Sequence, residues 1–136
     1  MHLNFTAEQL AEPAMASSAE ELSACLQCDY CMDNCPTHQL LGDEFDSPRG
    51  RIYLIREMLE SAHRPGEKTV GHIDRCLSCL ACMSTCPSSV NYMHLVDHAR
   101  EYIEENYRRP LLDRLMRWTI ARVLPYPARL RLALGA

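Results

Sequence analysis

Apolar residues recur at helical spacing along much of the chain, and strand alternation is weak throughout. Ile52, Ile55 and Leu59 share one helical face with Met58 beside them. Ser47 followed by Pro48 is a helix start, an N-cap hydroxyl and then a residue whose fixed φ suits the first turn. The pattern stops at His63-Arg64-Pro65-Gly66, a turn signal. A second helix is expected from about Asn91 to Arg108, with Leu95, Ala99, Tyr102 and Ile103 as its stripe and Pro110 beyond its end. Residues 19–26 also read as helical. A further helix is expected over Leu111–Leu124, where Leu111, Leu112, Leu115, Met116, Trp118, Ile120 and Val123 cover most of the circumference and Arg114, Arg117 and Arg122 much of the rest. Three readings stand for that wide face: a docking surface for a partner or more polypeptide, a basic amphipathic helix on a membrane surface, or packing on its own domain. The fold class is mostly α.

The chemistry lies between these helices. The eight cysteines form two copies of one pattern, Cys25-x-x-Cys28-x-x-Cys31-x-x-x-Cys35-Pro36 and, 51 residues on, Cys76-x-x-Cys79-x-x-Cys82-x-x-x-Cys86-Pro87. This resembles the bacterial ferredoxin run that holds cubane [4Fe–4S] clusters, in which the fourth cysteine ligates the other cluster. The expected sets are Cys25, Cys28, Cys31 and Cys86 on one cluster, and Cys76, Cys79, Cys82 and Cys35 on the other. Proline after the fourth cysteine fixes φ and restricts the residue before it to an extended conformation. Disulfides would need an oxidising compartment, and Met1–Leu10 has neither the basic start nor the apolar core of a secretory signal. Structural zinc would want paired knuckles rather than three cysteines at three-residue intervals. The repeat also aligns Leu26 with Leu77 and Met32 with Met83, which are expected to shield the clusters or pack in the core.

Length fits one small domain whose folding is coupled to ligation. Of the charged residues, 1–46 hold nine acids and no Lys or Arg, whereas 108–136 hold seven arginines and only Asp113 on the acidic side. That asymmetry suggests two different surfaces. The formal net charge of −4 and the lack of a supporting motif speak against nucleic acid. No stretch approaches the roughly 20 apolar residues that span a bilayer, and reduced thiols point to the cytoplasm. No Ser/His/Asp or paired-carboxylate constellation is evident, so the chain is expected to carry electrons without catalysing a reaction itself. His94 and His98 stand at i, i+4 but are expected at the surface. His38 and His72 lie within reach of the motifs as donors to cluster sulfur. Arg49 and Arg51 have two readings, pairing with a partner's carboxylates or orienting the inter-motif segment from within.

With these motifs placed, the chain resembles the N-terminal part of the glycolate oxidase iron–sulfur subunit family. The residues that carry the resemblance are Cys28 to Thr37, Leu40-Leu41-Gly42-Asp43-Glu44, Ser47-Pro48-Arg49-Gly50-Arg51-Ile52-Tyr53-Leu54-Ile55, His72 to Cys79, and Cys86 to Tyr92. The resemblance covers about residues 20–110. It implies an α-helical ferredoxin fold, two [4Fe–4S] clusters, and a FAD-containing partner that oxidises glycolate or a similar 2-hydroxy acid. Electrons would pass to a downstream acceptor, either in the cytoplasm or at the inner face of the membrane. The expected organisation is an N-terminal extension (1–19), the two-cluster domain (20–108), and a basic amphipathic tail (109–136) leading to a C-terminal region. Family members continue into CCG-type domains and this sequence carries no such motif, so a truncated copy, a fragment and a stand-alone ferredoxin are all open. Related alternatives are the iron–sulfur subunit of a heterodisulfide-reductase-like, lactate or glycerol-3-phosphate dehydrogenase complex.

Overall fold

The computed structural model describes residues 3–135. In chain order the elements are α1 (Ala7–Leu10), α2 (Pro13–Ala24), α3 (Pro36–Leu41), a 3₁₀ turn (Glu44–Asp46), α4 (Pro48–Ser61), α5 (Glu67–Asp74), α6 (Tyr92–Asn106), α7 (Leu111–Val123) and α8 (Pro127–Leu134). There is no strand among the described residues.

Helix α4 is the centre of the packing. Ser47 caps it as predicted, its hydroxyl accepting the Gly50 amide at 3.0 Å. Ile52, Ile55, Met58 and Leu59 then enter a core completed by Leu22 of α2, Ile73 of α5, and Leu95, Val96, Ala99 and Ile103 of α6. Burying each of the larger of these side chains stabilises the fold by about 2 kcal/mol relative to leaving it exposed. Gly50 has a steric reason. A Cβ there would lie 2.1 Å from the Glu44 carbonyl oxygen, so only glycine lets α4 start this close to the 3₁₀ turn.

Helix α2 begins earlier than the sequence suggests, at Pro13, and ends before Cys25. It is anchored on α6 through Ser18, fully buried, whose Oγ lies 2.6 Å from His98 Nδ1 and 3.2 Å from His94 Nε2. His98 is therefore not at the surface as expected: its spacing from His94 serves a helix contact. Burial pushes the His98 pKa down, and neighbouring His94 adds to this. The N-terminal stretch also lies on the core, with Leu3 and Phe5 against it and Met15 within it.

Helix α7 forms where its apolar pattern places it but has no buried residue. Leu111, Leu112 and Trp118 are exposed. The helix is tethered by charge. Arg109, itself buried, forks onto Asp74 through Nη1 (2.6 Å) and Nη2 (3.1 Å), and Arg117 bridges Asp74 and Asp113, each at 3.0 Å. No helix among the described residues is long and apolar enough to cross a membrane.

Candidate metal centres

Both cysteine loops adopt one backbone turn. In the first, the Met32 amide donates to Asp29 O (2.8 Å) and the Cys35 amide to Met32 O (3.1 Å). In the second, the Met83 amide donates to Leu80 O (3.0 Å) and the Cys86 amide to Met83 O (3.3 Å). Left-handed residues recur at the same offset: Gln27 with Ser78 (φ 53° and 50°) and Asp29 with Leu80 (φ 69° and 58°). None is glycine, and each costs on the order of 1 kcal/mol, strain of a kind that collects at functional sites. The flanking helices set the ends. Cys25 is the C-cap of α2, Cys35 the N-cap of α3, and Cys76 follows the C-cap of α5.

The cysteines line two adjacent cavities. Cys25, Cys28, Cys31 and Cys86 line the first, together with Pro48, Ile52, Pro87 and Val90. Cys35, Cys76 and Cys79 line the second, with Thr37, Arg51 and Leu77. Pro48, Cys82 and Tyr92 line both and form the wall between them. Cys28 and Cys79 are exposed, whereas Cys35 and Cys82 are buried.

The donor chemistry suits a polynuclear cation. Burial pushes the Cys31 thiol up to about 11, and the Cys25, Cys86 and Cys28 thiols add to the rise. Burial likewise pushes Cys82 up to about 12, with Cys31, Cys76 and Cys35 adding. Sulfurs gathered this closely resist joint ionisation until a cation compensates them, and thiolate is the ligand form that iron–sulfur clusters require. Helices α4 and α6 also begin at these cavities, with Pro48 and Tyr92 in their first turns. Their positive dipole ends favour an anionic group there.

A polar network adjoins the second cavity. Asp46 is fully buried and Arg51 is 1% exposed. Arg51 Nη2 donates to Asp46 Oδ1 (3.3 Å) and Thr37 Oγ1 (3.0 Å), its Nε to the His72 carbonyl (2.8 Å), and its Nη1 faces Cys35 Sγ at 3.9 Å. Arg75 pairs with the other Asp46 oxygen, and His72 Nδ1 lies 3.1 Å from Oδ1. The Tyr92 hydroxyl donates to Cys76 Sγ at 3.7 Å, and burial raises its pKa well above the ordinary tyrosine value.

Several expectations resolve here. Arg49 and Arg51 both pair within the chain, Arg49 with Asp29 and Glu44. His38 faces the Asp43 carbonyl and His72 faces Asp46, so neither reaches a sulfur. Leu26 lines the first cavity and Leu77 the second, each from an exposed position at the rim (73% and 67%) rather than from the core. Asp46, Thr37 and Tyr92 were missed. Their only signal in the sequence is closeness to a cysteine or to the helix start.

A profile of the 4Fe-4S dicluster domain family matches residues 24–91. The chain is 46% identical over 125 residues to the glycolate oxidase iron-sulfur subunit of Escherichia coli (strain K12), covering 91% of this chain and 30% of that protein. It is 38% identical over 117 residues to a probable glycolate oxidase iron-sulfur subunit of Bacillus subtilis (strain 168), covering 85% of this chain and 26% of that protein. A more distant likeness, 23% over 90 residues, is to the succinate dehydrogenase iron-sulfur subunit of Coxiella burnetii, covering 62% of this chain and 38% of that one. The chain thus spans under a third of the length of the two glycolate oxidase relatives. No solved structure matches significantly.

Proposed function

Because the chain belongs to the 4Fe-4S dicluster domain family, we propose that it is the electron-transfer part of a flavin-dependent 2-hydroxy-acid dehydrogenase acting on glycolate or a close analogue. The observation that carries this is the gathering of the cysteines around two cavities that share one wall. On this reading Cys25, Cys28, Cys31 and Cys86 hold one [4Fe–4S] cluster, and Cys76, Cys79, Cys82 and Cys35 hold the other. Each loop contributes three thiolates to its own cavity and sends the fourth across. Cys82 serves the second site while closing the first from the side.

When bound, each cluster supplies storage for one electron at a time, which matches a flavin hydroquinone that must give up two. The protein's own part is placement. Pro48, Cys82 and Tyr92 keep the two sites one side chain apart. Cys28 and Cys79 bring one ligand of each to the surface, where an electron can enter or leave without a solvent-filled gap. Ile52, Pro87 and Val90 give the first cavity an apolar wall.

Residues 20–108 are the cluster-bearing unit, 1–19 an N-terminal extension whose Leu3 and Phe5 pack against the core and whose Met15 enters it, and 109–136 a basic tail. The exposed apolar face of α7, with Arg114, Arg117 and Arg122, suits contact with the rest of a complex or with an acceptor at the inner membrane face.

The test is to mix the anaerobically reconstituted chain with a glycolate-oxidising flavoprotein and add glycolate. Bleaching of the iron–sulfur absorbance within turnover times supports the reading. Reduction by unrelated reductases with none from the flavoprotein would point instead to a stand-alone ferredoxin.

A further inference from the structure

The two cavities have the same ligands and unlike electrostatics. Beside the first, one guanidinium (Arg49) faces two carboxylates, Asp29 and Glu44. Beside the second, two guanidinia (Arg51 and Arg75) share one carboxylate, Asp46. Local charge therefore leans negative at the first and positive at the second. Burial sharpens the contrast: Arg49 and its partners are all partly open to solvent, whereas Arg51 and Asp46 are sealed from it and so barely screened.

Side-chain hydrogen bonding to sulfur runs in the same direction. Guanidinium has donors only, so the contact between Arg51 Nη1 and Cys35 Sγ can run only from N–H to sulfur. Tyr92 adds a hydroxyl toward Cys76 Sγ, and Arg100 Nη2 donates to the Cys76 carbonyl at 2.7 Å. Positive charge and hydrogen bonds to ligating sulfur stabilise the reduced, more negative state of a cluster. Solvent reaches each cavity at the matching cysteine, Cys28 or Cys79. Deeper burial of Cys35 and Cys82 works the other way, and the buried guanidinium of Arg51 against Cys35 sulfur opposes it.

We propose that Arg51 is a positioning and tuning residue of the second cavity, raising the reduction potential of the cluster held by Cys35, Cys76, Cys79 and Cys82 above that of its neighbour. This rests on the ligand sets proposed above. The consequence is a direction. A single electron supplied at the first cavity comes to rest at the second, one centre oxidised and the other reduced by one, with no proton moved and no bond made or broken.

The experiment is an anaerobic redox titration of the reconstituted full chain followed by electron paramagnetic resonance, with iron and sulfide measured on the same sample. Two distinct midpoints are expected. Arg51→Gln should lower the higher midpoint and leave the lower one in place, and Arg51→Lys, which keeps the charge and loses the fork, should fall between. Cys79→Ala should abolish the higher midpoint. Tyr92→Phe removes one donor and leaves the buried ion pair intact, so it tests the same claim should Arg51→Gln fail to assemble: it too should lower the higher midpoint. Unmoved midpoints in every variant that assembles, or movement confined to the lower one, would overturn the inference while the ligand sets stand. Iron and sulfide too low for two clusters in the native chain would overturn the ligand sets, and this inference with them.

Discussion

The two cysteine loops are near copies in spacing and backbone, yet the cavities they line are made of different material. Apart from their shared wall, the first is lined by Ile52, Pro87 and Val90, the second by Thr37, Arg51 and, behind them, Asp46. The loops repeat because metal ligation demands it. The surroundings differ because one segment, from the 3₁₀ turn into α4, supplies both: Ile52 to one cavity and Arg51 to the other. Neighbouring residues on a helix point in different directions, so a single helix start can lend one site an apolar side chain and the other a buried guanidinium. The repeat sets what is bound, and the segment between the copies sets how the two sites differ.

That contrast can be broken in stages. Gly50→Ala should do most damage, about 4 kcal/mol, above the usual cost of overpacking because the obstacle is backbone. Both cavities lean on the start of α4, so thermal melting should drop and iron content should fall at both. Asp46→Asn should cost about 3 kcal/mol by leaving Arg51 buried without its counter-charge. Its damage should centre on the second cavity, read as weakening of that cluster's resonance signal ahead of the other. Ile52→Ala should cost about 2 kcal/mol through the void it leaves and should favour loss at the first cavity, the mirror result. Leu26→Ser and Leu77→Ser should change stability by less than about 0.5 kcal/mol, since both side chains are largely in solvent. A large loss of either cluster in these two variants would show that the leucines do shield it.

Much of this architecture was legible before the structure. Helices α4, α6 and α7 follow from apolar spacing, and α4 has its start written in Ser47-Pro48. The short helices α3 and α5 were not legible, because α5 buries only Val70 and Ile73 and α3 only Thr37, too few positions to show a period. The partition of the cysteines is an expectation that the motif supplies and that ligand variants test. The polar network was not, since a buried Arg51–Asp46 pair depends on a 3₁₀ turn that folds Asp46 back beneath the start of α4, and residue spacing does not announce that turn. The exposed leucines and the buried His98 teach the same lesson. Identity and spacing give the period of a face, but only packing decides which way it turns.

The central claim is that each loop lends its fourth cysteine to the other cavity. The most direct test is Cys35→Ser in the anaerobically reconstituted chain, starting from about eight irons and eight sulfides in the native protein. Its resonance spectrum is to be compared with those of Cys79→Ser and Cys28→Ser. The account predicts that Cys35→Ser reproduces the Cys79→Ser spectrum and leaves the other cluster's signal intact. A Cys35→Ser spectrum that matches Cys28→Ser instead would contradict it.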